Sequence, residues 1–138
     1  MRFECRKLGD YNIINDAYNA SPMSMEASLS TLHQATVSKG KRAIAVLGDM
    51  LELGHVAVAA HRKVGQQAAE AGVSCVITLG EMGREIAAGA KEAGLKQVYA
   101  CDTHQQAADR LKALLKPGDT VLFKGSRGMA MEKIIDLI

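Results

Sequence analysis

Short β-rich apolar runs alternate with stretches of helical periodicity along the whole chain, and this alternation constrains the fold more than any other feature. The apolar runs after the amino-terminal segment lie at residues 43–47, 75–79, 97–100 and 120–123. Each adjoins a segment whose apolar residues recur at helical spacing. Links of about two to six residues between such elements require right-handed crossovers and a parallel sheet covered on both faces. The sequence therefore predicts one α/β domain over residues 1–138, with three layers in the order α/β/α.

The amino-terminal segment predicts an exception to this parallel order. Residues 2–7 and 12–15 have the pattern of two strands, and residues 8–11 have the pattern of a turn. Such a short connection can join only antiparallel strands, as a hairpin. We therefore expect a Rossmann-like, mostly parallel sheet of about six strands with one antiparallel strand from this hairpin.

The predicted helices carry recognisable end signals. Ser21 followed by Pro22 is typical of an N-cap with proline at the first helical position. Thr103 and Gln106 have the spacing of a capping box. The final helix is predicted to run from about residue 128 to the end of the chain.

Composition excludes several classes of function. Seventeen basic and fifteen acidic residues give a net charge of +2, and aromatic residues make up only 4%. These values argue against binding to nucleic acid or to a membrane surface. No apolar stretch approaches the roughly 18 residues of a membrane span, and the amino terminus does not resemble a signal peptide. Cys5, Cys75 and Cys101 are odd in number and lack metal-site spacing, which favours inert thiols in a reducing cytoplasm.

Charged residues follow the predicted parallel strands, at the edge where open α/β sheets bind ligands. The sequence N-D-A-Y-N-A-S-P follows the first of these strands, and L-G-D-M-L-E-L-G ends the second, with a histidine beyond it. The last strand ends in K-G-S-R-G-M. We expect one rim of the sheet to gather the side chains of Asp16, Asp49, Glu52, Glu81, Lys124 and Arg127.

Each of these features also has a purely structural interpretation. Asp16 and Asn19 are equally typical of a turn that caps a helix, and acids between glycines at 48–54 are often only solvated. His61 lies about one turn into a helix, where a buried, hydrogen-bonded histidine is the simpler interpretation. The two cations at 124–127 precede a helix start, which favours binding of a carboxylate or phosphate over a merely solvated loop. The sequence contains no phosphate-loop motif, no dinucleotide fingerprint and no convincing pair of nucleophile and base.

These motifs together resemble the C-terminal domain of the Mur ligases. The likeness rests on N-D-A-Y-N-A-S-P-x-S-M, on L-G-D-M-L-E-L-G with His61 seven residues beyond it, and on K-G-S-R-G-x-x-M-E from Lys124 to Glu132. The resemblance extends from Arg2 to the end of the chain. Within the family, this combination of motifs resembles the ligases that use D-Ala-D-Ala as their substrate. Asn15 and Ser21 replace the first acid and the second asparagine of the family pattern D-D-x-Y-N-A-N-P.

The resemblance implies ATP-dependent amide ligation in peptidoglycan synthesis. ATP would phosphorylate the terminal carboxylate of UDP-N-acetylmuramoyl-tripeptide (UDP-MurNAc-tripeptide), and the amine of D-Ala-D-Ala would attack the acyl phosphate. The implied enzyme also has an N-terminal domain for the UDP substrate and a central ATPase domain that holds most of the Mg²⁺ ligands. Because neither domain is in this sequence, we expect the chain to be inactive alone. It would be one domain of a monomeric, cytoplasmic bacterial ligase.

The resemblance also implies roles for individual residues, although it gives this chain no complete catalytic set and no metal site. Arg2 matches an arginine that reaches the ATP γ-phosphate, and Asp16 matches an acid that approaches the ribose, with Tyr18 and Asn19 beside it. The two later loops match regions that hold the incoming amino substrate, and on this basis their residues are assigned to D-Ala-D-Ala. The expected substrate residues are Asp49 or Glu52 for its ammonium group, His61 beside them, and Lys124, Ser126 or Arg127 for its carboxylate.

Two other classes of function fit parts of the sequence. A phosphoacceptor receiver domain also has acids after its first strand and a lysine after its last. Its phosphorylated aspartate should follow the third parallel strand, where this chain has Gly80 and Glu81, and the opening hairpin does not fit. The other alternative is a stand-alone nucleotide- or metabolite-binding module, which measurable ATP affinity of this chain alone would favour.

Overall fold

A computed structural model describes residues 3–138 and has a six-stranded sheet over that part of the chain. The strands are β1 (Glu4–Leu8), β2 (Tyr11–Asp16), β3 (Ala43–Gly48), β4 (Cys75–Leu79), β5 (Val98–Cys101) and β6 (Thr120–Lys124). The helices are α1 (Pro22–Ala35), α2 (Ala57–Glu70), α3 (Gly83–Glu92), α4 (His104–Leu114) and the short α5 (Glu132–Ile135). The strand order is β1-β2-β6-β3-β4-β5. The β1–β2 pair is antiparallel and the other pairs are parallel, which confirms the predicted hairpin and sheet.

Two apolar cores lie on opposite faces of the sheet, which confirms the predicted three layers. One core contains Met25 and Leu29 of α1 with Val64 of α2 and Ile86 of α3. The other contains residues of α4 and α5, among them Leu111. Adjacent residues of a strand point to opposite faces of the sheet. The central strands β3, β4 and β6 therefore carry apolar side chains on both faces, and they are buried along their whole length.

The position of β6 determines where the loops diverge. This strand is the last in sequence, yet it lies between β2 and β3. The chain leaves β2 and β3 toward the face that carries α1 and α2, whereas it leaves β6 toward the face that carries α5. Loops that diverge in this way open a crevice at the carboxyl ends of the strands, which is where open α/β sheets bind ligands.

The cap of α1 agrees with the prediction, whereas the box predicted for α4 is only half formed. The Ser21 hydroxyl accepts a hydrogen bond from the Ser24 backbone, and the Ser24 hydroxyl accepts one from the Ser21 backbone. Thr103 caps α4 by accepting from the Gln106 backbone. In a complete capping box the Gln106 side chain would accept a hydrogen bond from the Thr103 amide. It accepts instead from the amide of Asp102, the residue before the N-cap.

The prediction of one continuous final helix is wrong. Arg127–Met129 form a single 3-10 turn, and Ala130 ends it in the left-handed conformation with φ of 49°. A left-handed residue cannot continue a right-handed helix, so α5 begins only at Glu132. The Met129 carbonyl is bound by the His104 ring at 2.8 Å, which holds this turn against α4.

The three cysteines differ in exposure, and we expect a corresponding difference in reactivity. Burial raises the pKa of Cys75 to about 12 and also raises the pKa of Cys101, while Cys5 is exposed. At pH 8 roughly one Cys75 thiol in 10,000 is then ionised, and the thiolate is the reactive form. Brief iodoacetamide treatment of the native protein should therefore modify Cys5 alone, as read by peptide mass spectrometry. Modification of Cys75 at a rate similar to Cys5 would contradict its burial, and urea-unfolded protein labelled at all three is the control.

No helix within residues 3–138 is both long and apolar enough to cross a membrane.

Candidate functional site

Four loops leave the carboxyl ends of adjacent strands and form one rim of the sheet. They are the β2 loop (17–21), the β6 loop (125–131), the β3 loop (49–53) and the β4 loop (80–82). All the site residues predicted within the described part of the chain lie on or beside this rim except His61, which lies one turn into α2. Arg2, assigned to the γ-phosphate, lies outside the described residues.

Asp16 and Lys124 form a buried ion pair where β2 and β6 end side by side. The Lys124 Nζ donates to Asp16 Oδ2 at 2.8 Å and to the Asn19 carbonyl at 3.0 Å. Asp16 is 4% exposed and Lys124 is 3% exposed. The expectation assigned one residue to ATP and the other to the substrate carboxylate. In the structure they neutralise each other, and two of the three Lys124 N–H donors are used within the domain.

The Asp49 carboxylate is buried against the β4 loop and supports the start of α3. Its Oδ1 accepts from the Gly83 backbone at 2.8 Å, which is the first amide of α3. A helix amino terminus favours a negative group at this position. Gly80 makes the approach possible, because it has φ of +106° and a β-carbon there would lie 2.5 Å from Asp49 Oδ1. Of the two acids expected to meet an ammonium group, Asp49 is thus committed to α3.

Ser126 joins the β6 loop to the β3 loop through two hydrogen bonds. Its backbone amide donates to the Asp49 carbonyl at 2.9 Å, and its hydroxyl accepts from the Leu51 amide at 2.8 Å. Met131 packs beneath this junction, where a β-carbon on Gly48 or Gly125 would lie 2.6 or 2.8 Å from its side chain. A β-carbon on either glycine would therefore displace the Met131 side chain, and one on Gly125 would also lie 3.2 Å from the Gly48 α-carbon. Ser126 is buried and acts on loop shape.

His61 is fully buried, and both of its ring nitrogens are bound to backbone atoms. The Met50 amide donates to Nε2 at 2.9 Å, and Nδ1 lies 2.6 Å from the Ala57 carbonyl. These bonds fix the tautomer with the proton on Nδ1. Both ring nitrogens are thus used within the domain, which favours the structural interpretation, in which His61 holds the β3 loop. Substrate contact at His61 stays a prediction.

Exposed functional groups remain on both sides of the crevice. Tyr18 and Asn19 are exposed on the β2 loop, Arg127 on the β6 loop and Glu52 on the β3 loop. The Arg127 guanidinium lies 5.6 Å from the centre of the Tyr18 ring, within the range of a cation–π contact. Glu52 has φ of +66°, an unusual conformation for a residue with a side chain. Arg127 and Glu52 thus present opposite charges on loops that Ser126 joins.

Sequence reasoning missed the contribution of Ser28, whose hydroxyl donates to Asp16 Oδ2 at 2.6 Å from within α1. A serine on a helix face gives no local signal of such a partner 12 residues away. The Phe3 backbone, which donates to Asp16 Oδ1 at 3.1 Å, was missed for the same reason.

Two other observations limit where binding is placed. Within residues 3–138, no three metal-ligating side chains of His, Cys, Asp or Glu converge. A cavity of about 750 Å³ lies along β5 and α4, but none of its lining residues belongs to the rim loops. The exposed polar groups of the rim are therefore the best candidates for ligand contact.

Comparisons with known proteins show the family and the fold of the chain. Residues 1–127 match the family described as "Mur ligase, glutamate ligase domain". The UDP-N-acetylmuramoyl-tripeptide–D-alanyl-D-alanine ligase of Bacillus subtilis is 41% identical over 143 residues, which cover 100% of this chain and 30% of the relative. The ligase of the same name from Mycobacterium tuberculosis is 35% identical over 158 residues, covering 99% and 30%. The chain thus spans about a third of the length of these relatives.

Solved structures show the same likeness. A MurF ligase from Thermotoga maritima in complex with ADP superposes with a TM-score of 0.82 at 26% identity, covering 99% of this chain and 30% of that one. A MurF structure from Acinetobacter baumannii gives 0.86 at 28% identity, again covering 99% and 30%. With a family match across residues 1–127 and the fold shared throughout, this chain belongs to the Mur ligase family.

Proposed function

We propose that this chain is the C-terminal domain of an ATP-dependent ligase that joins D-Ala-D-Ala to UDP-MurNAc-tripeptide. The observation that carries the proposal is the 41% identity, over the whole chain, to the Bacillus subtilis ligase of that name. The likeness to a MurF structure in complex with ADP supports the use of ATP. We place the ligase in the cytoplasm, where ATP is available. Its own central and N-terminal domains are the partners of this chain.

The proposed reaction has two steps. The terminal carboxylate of the tripeptide takes the γ-phosphoryl group of ATP, which gives an acyl phosphate and ADP. The deprotonated amine of D-Ala-D-Ala then attacks the acyl carbon, phosphate leaves, and an amide bond forms. Both steps depend on close positioning and on neutralising the charge of the moving phosphoryl group.

The β2 loop is the proposed nucleotide side of the domain. The exposed Tyr18 ring offers an apolar face for a purine, and the exposed Asn19 lies next to it. Among the described residues only the Phe3 amide donates to Asp16 Oδ1, and a ribose hydroxyl would donate to the other lone pair of that oxygen. We propose that Arg2 meets the γ-phosphate, as the family resemblance implies. We propose, as the family resemblance implies, that the central domain of the ligase holds most of the Mg²⁺ ligands.

The β6 and β3 loops are the proposed dipeptide side. Arg127 is exposed and carries five N–H donors in a planar fork that matches a carboxylate. Glu52 is the exposed acid on the neighbouring loop and would accept from the ammonium group of D-Ala-D-Ala. Ser126 joins these two loops to each other. Lys124 ties the end of β6 to Asp16 and Asn19, and His61 holds the β3 loop to α2.

Replacement of Arg127 by alanine tests the dipeptide side. In the complete ligase we expect the KM for D-Ala-D-Ala to rise at least about tenfold, because a hydrogen bond to a charged group contributes roughly 1.5–3 kcal/mol. The kcat at saturating dipeptide should change much less, and Arg127→Lys should recover part of the loss. Steady-state kinetics with D-Ala-D-Ala as the varied substrate provide the measurement.

The matched control is Arg84→Ala, which removes an exposed arginine paired with Asp102 on the far side of the β4 loop. Its KM for D-Ala-D-Ala should equal that of the unsubstituted ligase. If Arg127→Ala also leaves this KM unchanged in a folded enzyme, Arg127 does not bind the carboxylate.

A further inference from the structure

Leu51 is an exposed apolar side chain among the charged groups of the rim. It is 45% exposed, whereas Met50 directly before it is buried in the core. A single exposed leucine is common on protein surfaces, so exposure alone indicates no function. The position of this one is informative, because the next residue is Glu52, the acid proposed for the ammonium group of D-Ala-D-Ala.

Leu51 also contacts the neighbouring β6 loop at two points. Its amide donates to the Ser126 hydroxyl at 2.8 Å, which fixes its backbone. A β-carbon on Gly128 would lie 3.1 Å from Leu51 Cδ1, so the leucine side chain lies directly against the Gly128 backbone. Gly128 follows Arg127, the residue proposed for the carboxylate of the dipeptide. The contact between Leu51 and Gly128 thus lies between the two proposed charged anchors.

We propose that Leu51 is a specificity-determining residue whose side chain packs against the methyl groups of D-Ala-D-Ala. This inference rests on the proposed function, in which Arg127 and Glu52 bind the two charged ends of the dipeptide. Those two residues would bind any dipeptide with free ends. Selection of a methyl group over hydrogen requires apolar surface that the methyl group can cover. Leu51 supplies this surface beside both anchors.

Competition between dipeptides in the complete ligase tests this role. D-Ala-D-Ala would be mixed with D-Ala-glycine in one reaction and with glycyl-D-Ala in another, so that each competitor lacks one methyl group. The product ratio at low conversion, read by mass spectrometry, gives the ratio of the kcat/KM values. In Leu51→Ala we expect the preference for D-Ala-D-Ala to fall about fourfold in at least one mixture, the usual effect of one buried methyl group.

The matched control is Leu137→Ala, which makes the same change at another exposed leucine. The next residue, Ile138, lines a groove with Leu8 and Tyr11, where β2 begins, at the opposite end of this strand from the rim. The preference of this variant for D-Ala-D-Ala should equal that of the unsubstituted ligase.

Gly128→Ala tests the same contact from the other loop. The backbone of Gly128 lies outside the left-handed region, so alanine can adopt it. The added β-carbon should push the Leu51 side chain aside and lower the preference for D-Ala-D-Ala. When Leu51 is already alanine, the same substitution should have no further effect, because Cδ1 is absent. A further fall in that double variant would contradict the role of the contact.

An unchanged preference of Leu51→Ala in both mixtures overturns the inference. An equal fall in kcat/KM for all three dipeptides overturns it too, and would assign Leu51 to a contact with another domain of the ligase. If the unsubstituted ligase makes no product with D-Ala-D-Ala, the proposed function fails and this role fails with it. An active ligase whose preference survives Leu51→Ala refutes only the role of Leu51.

Discussion

Alanine in place of Gly89 is expected to lower the free energy of unfolding by more than about 3 kcal/mol. A β-carbon at this position in α3 would lie 2.0 Å from the Arg62 carbonyl of α2, and one on Gly65 of α2 would lie 2.0 Å from the Ile86 carbonyl. Neither neighbour is a flexible side chain, so one helix must move away from the other. Overpacking of ordinary cores typically costs about 1–3 kcal/mol, and a backbone overlap this close should exceed that range.

Urea unfolding of Gly89→Ala, followed by circular dichroism, measures this loss. The contrast is sharp because glycine to alanine inside an ordinary helix stabilises by about 1 kcal/mol. Ala59→Gly, at an exposed position of α2, is the matched control and should cost only about that amount. A Gly89→Ala protein as stable as the original would show that α2 and α3 do not pack backbone to backbone.

Replacement of Lys124 by methionine is expected to cost about 3–5 kcal/mol. The substitution keeps the volume but leaves the Asp16 carboxylate buried without its counter-charge, and breaking a buried pair in this way is strongly destabilising. Arg84→Met is the control, because its partner Asp102 is 65% exposed at the side chain and such surface pairs contribute less than about 1 kcal/mol.

The double variant Asp16→Leu with Lys124→Met distinguishes two causes of destabilisation, the unpaired buried charge and the altered side-chain packing. Replacing both members of a buried pair with apolar residues of similar size is often nearly neutral. We therefore expect the double variant to recover part of the stability lost in Lys124→Met, in the same urea titration. Recovery is incomplete because Asp16→Leu also leaves the Ser28 hydroxyl and the Phe3 amide without their acceptor. A double variant less stable than Lys124→Met would show that the unpaired carboxylate is not the main cause of the loss.

Local patterns predicted the fold well because they report local causes. Strand–helix alternation, the proline after Ser21 and the short hairpin turn each have a physical reason within a few residues. The prediction of a continuous final helix was wrong because nothing in the local sequence indicates the left-handed conformation of Ala130. The turn before it is instead held by a distant contact from His104.

The candidate site was predicted as a location but not as a set of contacts. The ends of parallel strands meet at one edge, so Asp16, Asp49 and Lys124 were expected near each other. Their pairing depends on the insertion of β6 between β2 and β3, which no local pattern specifies. This insertion places Lys124 against Asp16, 108 residues away, in a buried ion pair.

The most direct test of the proposed function is the product formed by the complete ligase that contains this chain. The purified enzyme would be incubated with ATP, Mg²⁺, UDP-MurNAc-tripeptide and D-Ala-D-Ala, and the product identified by mass spectrometry. We predict UDP-MurNAc-pentapeptide, with one ADP formed per amide bond and no product when D-Ala-D-Ala is replaced by glutamate. Absence of the pentapeptide from a folded enzyme, or a preference for glutamate, would contradict the account.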